Sequence, residues 1–200
     1  MPLALIAPLL AFATTAVVLH FLLRHRIARA IVDHPNERSL HQAPTPRVGG
    51  IALMMGLAVG WMVADGVAWP LAASVAALVG VSLLDDWRGL PVALRFTAQG
   101  LIVAAYLWLG VADPLSAVAL FAAWFAMVWM TNLYNFMDGS DGLAGGMATI
   151  GFGALALAAW RGDAPGLAVF CAAIAAAALA FLRFNFPPAR VFMGDAGSIP

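Results

Sequence analysis

Residues 164–182 read APGLAVFCAAIAAAALAFL, nineteen positions without one charged side chain. An α-helix rises about 1.5 Å per residue, so about 20 apolar residues cross the roughly 30 Å hydrocarbon core of a bilayer. The stretch is rich in alanine and leucine and lacks the apolar-polar alternation of an outer-membrane barrel strand, so it reads as a spanning helix.

Six more windows share this character: residues 3–23, 48–64, 67–84, 96–112, 114–133 and 143–160, all free of Asp, Glu, Lys and Arg. The fold expected is all-α, a polytopic transmembrane helical bundle forming one domain over residues 1–200. Seven spans are visible and an eighth is expected to start at the C-terminal end. The hydrophobic fraction is 64% and the charged fraction 10%, far from the roughly 45–50% and 25% of water-soluble domains. A formal net charge of zero gives no electrostatic footprint for nucleic acid. The single cysteine, Cys171, excludes an intrachain disulfide and a cysteine metal site. No basic residue precedes the first window, so it reads as a retained span and not as a secretory signal.

The connections alternate in charge. All ten basic residues are arginine, and nine of them, including Arg24, Arg26, Arg29, Arg38, Arg47, Arg88 and Arg95, follow the first, third, fifth or seventh window. The other connections hold Asp65, Asp113, and Arg161 with Asp163. By the positive-inside rule the arginine-rich side is cytoplasmic and the N-terminus lies outside. Trp61, Trp69, Trp87, Trp108 and Trp160 sit near window ends, where interfacial aromatics belong. The histidines His20, His25, His34 and His41 have no zinc spacing.

Acids collect on the same side. Asp33 and Glu37, with Arg24, Arg26 and Arg29, read as solvated loop charges, but three clusters resist that account. In LLDDWRG, residues 83–89, Asp85 and Asp86 end a span directly. Carboxylates at a helix C-terminus oppose the helix dipole unless a cation compensates them; the simpler alternative is a pair between Asp86 and Arg88 or Arg95. In TNLYNFMDGSDG, residues 131–142, Asn132, Asn135 and Asp138 recur every third position and can converge on one ligand. Asp141 is placed to N-cap the following span. In NFPPARVFMGDAGS, residues 185–198, paired prolines hold an extended loop and glycines flank Asp195. Amide and carboxylate oxygens are hard ligands that suit Mg²⁺, which shares itself with substrate phosphates.

With HQAPTPRVGGI at residues 41–51, these segments form four ordered motifs over residues 33–198 that resemble the polyprenyl-phosphate N-acetylhexosamine-1-phosphate transferases. The resemblance is closer to the enzymes that initiate O-antigen or related surface glycans than to the peptidoglycan enzyme that transfers phospho-MurNAc-pentapeptide. It implies transfer of a sugar 1-phosphate from a UDP-N-acetylhexosamine to undecaprenyl phosphate with release of UMP, at the cytoplasmic face of a bacterial inner membrane. It also implies Mg²⁺, with Mn²⁺ as an alternative, held by Asn135 and Asp195. Asp141, Asn185 and Phe192 would line the uridine pocket, with Phe192 stacked on uracil, and Asp85 and Asp86 would lie beside the lipid phosphate. Asp138 joins them as a catalytic candidate, and Asn132 and Arg95 as substrate contacts. Where the peptidoglycan enzymes carry a lysine three places after the second aspartate, this chain has Gly89, so Arg88 or Arg95 is expected to take its place.

Relatives continue past the third motif through further spans and a histidine-bearing loop, so the chain is expected to be the N-terminal part of a longer protein. The alternatives to the transferase are a non-catalytic truncated remnant, or a lipid-binding or transport membrane protein. Transport would need a charged or broken helix at mid-membrane, which no window supplies. Small-residue faces such as residues 172–178 leave a homodimer open.

Overall fold

The computed structural model describes residues 6–25, 32–33, 44–64, 67–111 and 115–200. Arg26, Arg29, His34, Glu37, Arg38, His41, Asp65 and Asp113, all weighed above, lie outside the described residues.

The chain is a polytopic helical membrane bundle. Six helices are long and apolar enough to cross a membrane: α1 (Ala7–Arg24), α3 (Trp69–Arg88), α4 (Val92–Gly110), α5 (Ala117–Met137), α6 (Leu143–Arg161) and α7 (Pro165–Asn185). The second window forms a shorter helix, α2 (Gly49–Val63), of 15 residues. At the C-terminal end α8 (Asp195–Ser198) makes a single turn of 4 residues. One small departure from an all-helical chain is an antiparallel ribbon of β1 (Val32–Asp33) and β2 (Thr45–Pro46), with Val32 opposite Pro46.

Helix ends overrun the apolar windows. The third window stops at residue 84, but α3 continues through Asp85, Asp86 and Arg88 until Gly89 turns left-handed with φ 65°. The next helix starts four residues ahead of its window, because Pro91 at the N-cap has the fixed φ that opens a helix. It thereby gathers Arg95 into its first turn. Ionisable groups are therefore part of the helices, and Asp85, Asp86, Arg88 and Arg95 gather at one end of the bundle.

Packing inside the bilayer depends on close backbone approach, because lipid tails offer no hydrophobic drive between helices. A Cβ on Gly56 of α2 would collide with Thr15 Oγ1 and lie 2.6 Å from the Ala11 carbonyl of α1; one on Gly60 would sit 3.0 Å from Ala11 Cβ. Ala7, Ala11 and Thr15 give α1 a matching small face, buried at every position. Likewise Ala173, Ala177 and Ala178 of α7 are fully buried within the chain. The outward surface is apolar instead, with Leu9, Val118 and Ile150 at 70%, 80% and 75% exposure, as suits helices facing lipid. Helix α5 has no buried residue and is held to α4 by the Trp124 indole, which donates to the Gly100 carbonyl at 2.8 Å.

Candidate active site

The ends of α3, α4 and α5, the α7–α8 loop and α8 meet at the ionisable end of the bundle. Gly89 reverses the chain after α3, and the Leu90 N–H just beyond it donates to Asp85 Oδ1 at 2.6 Å. The other oxygen of Asp85 accepts from Arg95 Nη1 at 2.8 Å, and the same nitrogen reaches Asp195 Oδ2 at 3.3 Å. One guanidinium thus ties α3, α4 and α8 together. Of the two arginines considered for this place it is Arg95 that enters the cluster; Arg88 turns aside, its guanidinium 5.2 Å from the centre of the exposed Trp87 ring. Asp86 Oδ2 accepts the Ala196 N–H at 3.3 Å, at the start of α8.

From α5, Asn135 Nδ2 donates to Asp195 Oδ1 and to Ser198 Oγ, both at 2.8 Å. Asp138, just past the helix end and 5% exposed, spans two backbone donors: Met193 N–H to Oδ1 at 3.0 Å and Gly194 N–H to Oδ2 at 2.8 Å. Tyr134 hydroxyl donates to the Ala144 carbonyl at 2.9 Å and lies 3.8 Å from Met193 sulfur. The loop carrying Asp195 is thus held by α5 from two sides. Burial pushes the Asp138 carboxyl up to about 6 against the pull of its two amide donors. Burial and a hydrogen bond shared with Asp85 likewise hold Asp195 above the usual carboxylate range. In both, burial outweighs the hydrogen bonds and the Arg47 charge that favour the ionised form.

Several expected roles meet a different geometry. Asn132 does not join the cluster: its Nδ2 donates to Gln99 Oε1 of α4 at 2.8 Å. Asp141 does not cap α6, whose N-cap is Gly142 with no side-chain bond; its Oδ2 accepts the Ala189 N–H at 2.9 Å and pins the proline loop. Asn185 is fully buried, accepting from Gly142 N–H at 2.9 Å and donating to the Val191 carbonyl at 3.0 Å. Phe192 is 1% exposed and presents no face for a base to stack on. In this structure both residues hold loops together.

Two contributions escaped the reading of the motifs. Ser198 bonds Asn135, and Arg47 lies among the acids, its charge acting on Asp86, Asp138 and Asp195. Arg47 could have been found as the one cation of HQAPTPRVGGI, placed directly before the glycines that open α2. Those glycines allow backbone contact: a Cβ on Gly50 would lie 2.5 Å from Gly197 Cα.

The donor set fits a hard divalent cation. Among the described residues no three His, Cys, Asp or Glu side chains form a ready-made metal centre. Mg²⁺ needs none, since it binds through one or two carboxylates and leaves the remaining positions to water and phosphate. Asp195 supplies a carboxylate, and Asn135, whose N–H₂ is turned to Asp195 and Ser198, has its carbonyl oxygen to offer. Among the described residues, four carboxylates against two guanidinium groups leave an excess of negative charge, the sign a divalent ion offsets.

The chain is 29% identical to a probable undecaprenyl-phosphate N-acetylglucosaminyl 1-phosphate transferase of Bacillus subtilis (strain 168), over 97% of this chain and 59% of the relative. It is 35% identical to the phospho-N-acetylmuramoyl-pentapeptide-transferase of a Picosynechococcus strain, over 91% of this chain and 57% of the relative. It is 31% identical to the undecaprenyl-phosphate alpha-N-acetylglucosaminyl 1-phosphate transferase of Escherichia coli (strain K12), over 94% of this chain and 56% of the relative. The chain therefore spans little more than half the length of these curated relatives. The family model for glycosyl transferase family 4 matches residues 68–200, a stretch that takes in all three acidic clusters, and the chain belongs to that family.

Proposed function

We propose that this protein transfers an N-acetylhexosamine 1-phosphate from a UDP-sugar to undecaprenyl phosphate, releasing UMP, as the first membrane step of O-antigen or another surface glycan. The observation that carries the reading is the meeting of Asp85, Asp86, Asp138 and Asp195 with Arg95 at one end of a membrane bundle. The positive-inside rule, applied to the arginine-rich side, supports reading that end as the cytoplasmic face of a bacterial inner membrane, where a nucleotide-sugar is available. The names carried by the relatives from Bacillus subtilis and Escherichia coli support the same reaction class. Preference for a simple N-acetylhexosamine over the phospho-MurNAc-pentapeptide rests on the closer resemblance of the four motifs to the enzymes that initiate surface glycans.

In the reaction a phosphate oxygen of the lipid attacks the sugar-bearing β-phosphorus of the donor. The bond from that phosphorus to the bridging oxygen breaks, and UMP leaves with its electron pair. A phosphate monoester has its second pKa near about 6, so the acceptor is already largely dianionic at neutral pH and needs no strong base. Asp85 fits a positioning role because both its oxygens are engaged, by Leu90 and Arg95. Arg95 neutralises charge on the transferred group, as guanidinium groups do in phosphoryl transfer. Asn135 and Asp195 would hold Mg²⁺, which when bound supplies charge neutralisation for the diphosphate. Asp138 keeps the Met193–Gly194 backbone in place, so that Asp195 faces Asn135.

The test is UMP release from UDP-GlcNAc and other UDP-N-acetylhexosamines with undecaprenyl phosphate, with and without Mg²⁺, in membranes containing the full-length gene product. Lipid-linked sugar formed only with the metal supports the proposal. Absence of turnover with every such donor removes it and leaves the family fold.

A further inference from the structure

Arg47 is the cation of the cluster that the mechanism above leaves without a task. Its backbone is fixed on both sides: Phe192 N–H donates to the Pro46 carbonyl at 2.8 Å, and the N–H groups of Gly49 and Gly50 donate to the carbonyls of Phe192 and Met193 at 2.9 and 2.7 Å. Gly194 closes against it. A Cβ there would lie 2.8 Å from the Arg47 carbonyl oxygen, 3.2 Å from Arg47 Cβ and 3.4 Å from Asp86 Oδ2. The side chain so placed is half-buried, and its Nε is buried with no hydrogen-bond partner. Arg95 holds Asp85 and Asp195 by direct bonds; Arg47, brought beside Asp86 at Gly194, carries a charge that favours the ionised forms of Asp86, Asp138 and Asp195. A guanidinium that gives up hydration at Nε without a bond in return is kept there by the field of the acids around it.

We propose that Arg47 is a positioning residue that sets the net charge of the site, so that the carboxylates take up a single divalent cation and still admit the phosphate groups of the substrates. The inference rests on the transferase reading for its substrates and on Arg47's own surroundings for its charge. Among the described residues, with Asp85, Asp86, Asp138 and Asp195 ionised, Arg47 and Arg95 together leave a deficit that one divalent ion fills. Without Arg47 the deficit is larger. A cation is then bound more tightly, while an anionic substrate is repelled. These two effects have opposite signs, and that separates a charge-setting role from an anchoring one: a loosened loop would weaken both kinds of binding.

The full-length gene product, purified in detergent, decides the matter through two binding measurements that need no turnover. Mn²⁺ binding is followed by electron paramagnetic resonance in the absence of substrate, and UDP binding is measured at saturating Mn²⁺. For Arg47→Gln we expect Mn²⁺ to bind on the order of tenfold more tightly and UDP on the order of tenfold more weakly, the scale of one unit charge at intermediate dielectric. Arg47→Lys, which keeps the charge, should return both constants toward wild type. Weakening of both ligands together, or no change in either, overturns the proposal. If Arg47→Gln fails to fold, Arg47→Met, which retains the aliphatic stem against Gly194, carries the same two measurements. Failure of both neutral variants to fold while Arg47→Lys folds makes the charge a requirement of the fold and also overturns it. A wild-type protein that binds Mn²⁺ but no UDP defeats the transferase reading, and the Mn²⁺ comparison then still decides the role of Arg47.

Discussion

The carboxylate of Asp138 accepts the backbone N–H of Gly194 at 2.8 Å across 56 residues of sequence, while its other oxygen accepts that of Met193. This pincer fixes the loop that presents Asp195, from a residue whose motif position reads equally well as catalytic.

Asp138→Asn tests the difference. An amide has one oxygen and would turn an N–H₂ toward one of the two backbone donors, so a charge-assisted bond is lost in a site that is 5% exposed. The expected cost is about 1.5–3 kcal/mol, visible as a lower Tm of the purified protein, with transfer falling in parallel. A variant with wild-type Tm and no transfer would return Asp138 to direct chemistry.

How far the sequence could lead is seen best in the triplet Asn132, Asn135 and Asp138. Hydropathy located the helix but not its neighbours. A spacing of three retreats about 60° per step on a helix, so residues that share a broad side still face different partners. Asn132 meets Gln99 of α4, and Asn135 meets Asp195 and Ser198; Asp138 has already left the helix. That Asp85 and Asp86 end α3 was legible from their motif, but not that the helix runs on through Arg88, because apolar windows report burial in lipid while Gly89 sets the helix end. Phe192 and Asn185 read as ligand contacts from their motif, yet burial is a property of the assembled loops, and both lie inside. The apolar spans, the gathering of acids at one end and the involvement of Arg95 were legible, because charge is expelled from lipid and has few places to go.

A backbone contact joins two motifs at Gly50 and Gly197. A Cβ on Gly197 would lie 2.5 Å from Gly50 Cα, and one on Gly50 the same distance from Gly197 Cα. Since the obstacle on each side is backbone, no rotamer can relieve it. Either glycine-to-alanine change should cost about 1–3 kcal/mol by overpacking and lower transfer by displacing α8. Because one forced separation makes room for both methyl groups, the double variant should cost less than the sum of the singles. Additive effects measured by unfolding in detergent would show that the two helix ends do not share this contact.

Deeper in the membrane, Gly56 presses on α1. Its replacement by alanine meets Thr15 Oγ1 and the Ala11 carbonyl, so Gly56→Ala should lower Tm and loosen α1 from α2. Thr15→Ala alone should be nearly neutral, since Thr15 Oγ1 is buried without a hydrogen-bond partner. Combined with Gly56→Ala it should recover only part of the loss, because the Ala11 carbonyl remains in the way. Full recovery would assign the contact to the threonine side chain instead of the backbone.

Asp85→Asn bears on the chemistry itself. Asp85 has both oxygens occupied, by the Leu90 N–H and by Arg95 Nη1, and an acceptor that arrives as a dianion has no proton to surrender. The asparagine variant keeps the shape but loses the ion pair to Arg95, so the expected fall in kcat is no more than about 10²-fold, the lower edge of the roughly 10²- to 10⁴-fold seen when a general acid or base is removed. The acid limb of the pH–rate profile should persist in the variant, because it then belongs to the substrate phosphate. A larger loss with lipid binding intact, or a profile whose acid limb vanishes with the carboxylate, would make Asp85 the proton acceptor and leave Arg95 to position it.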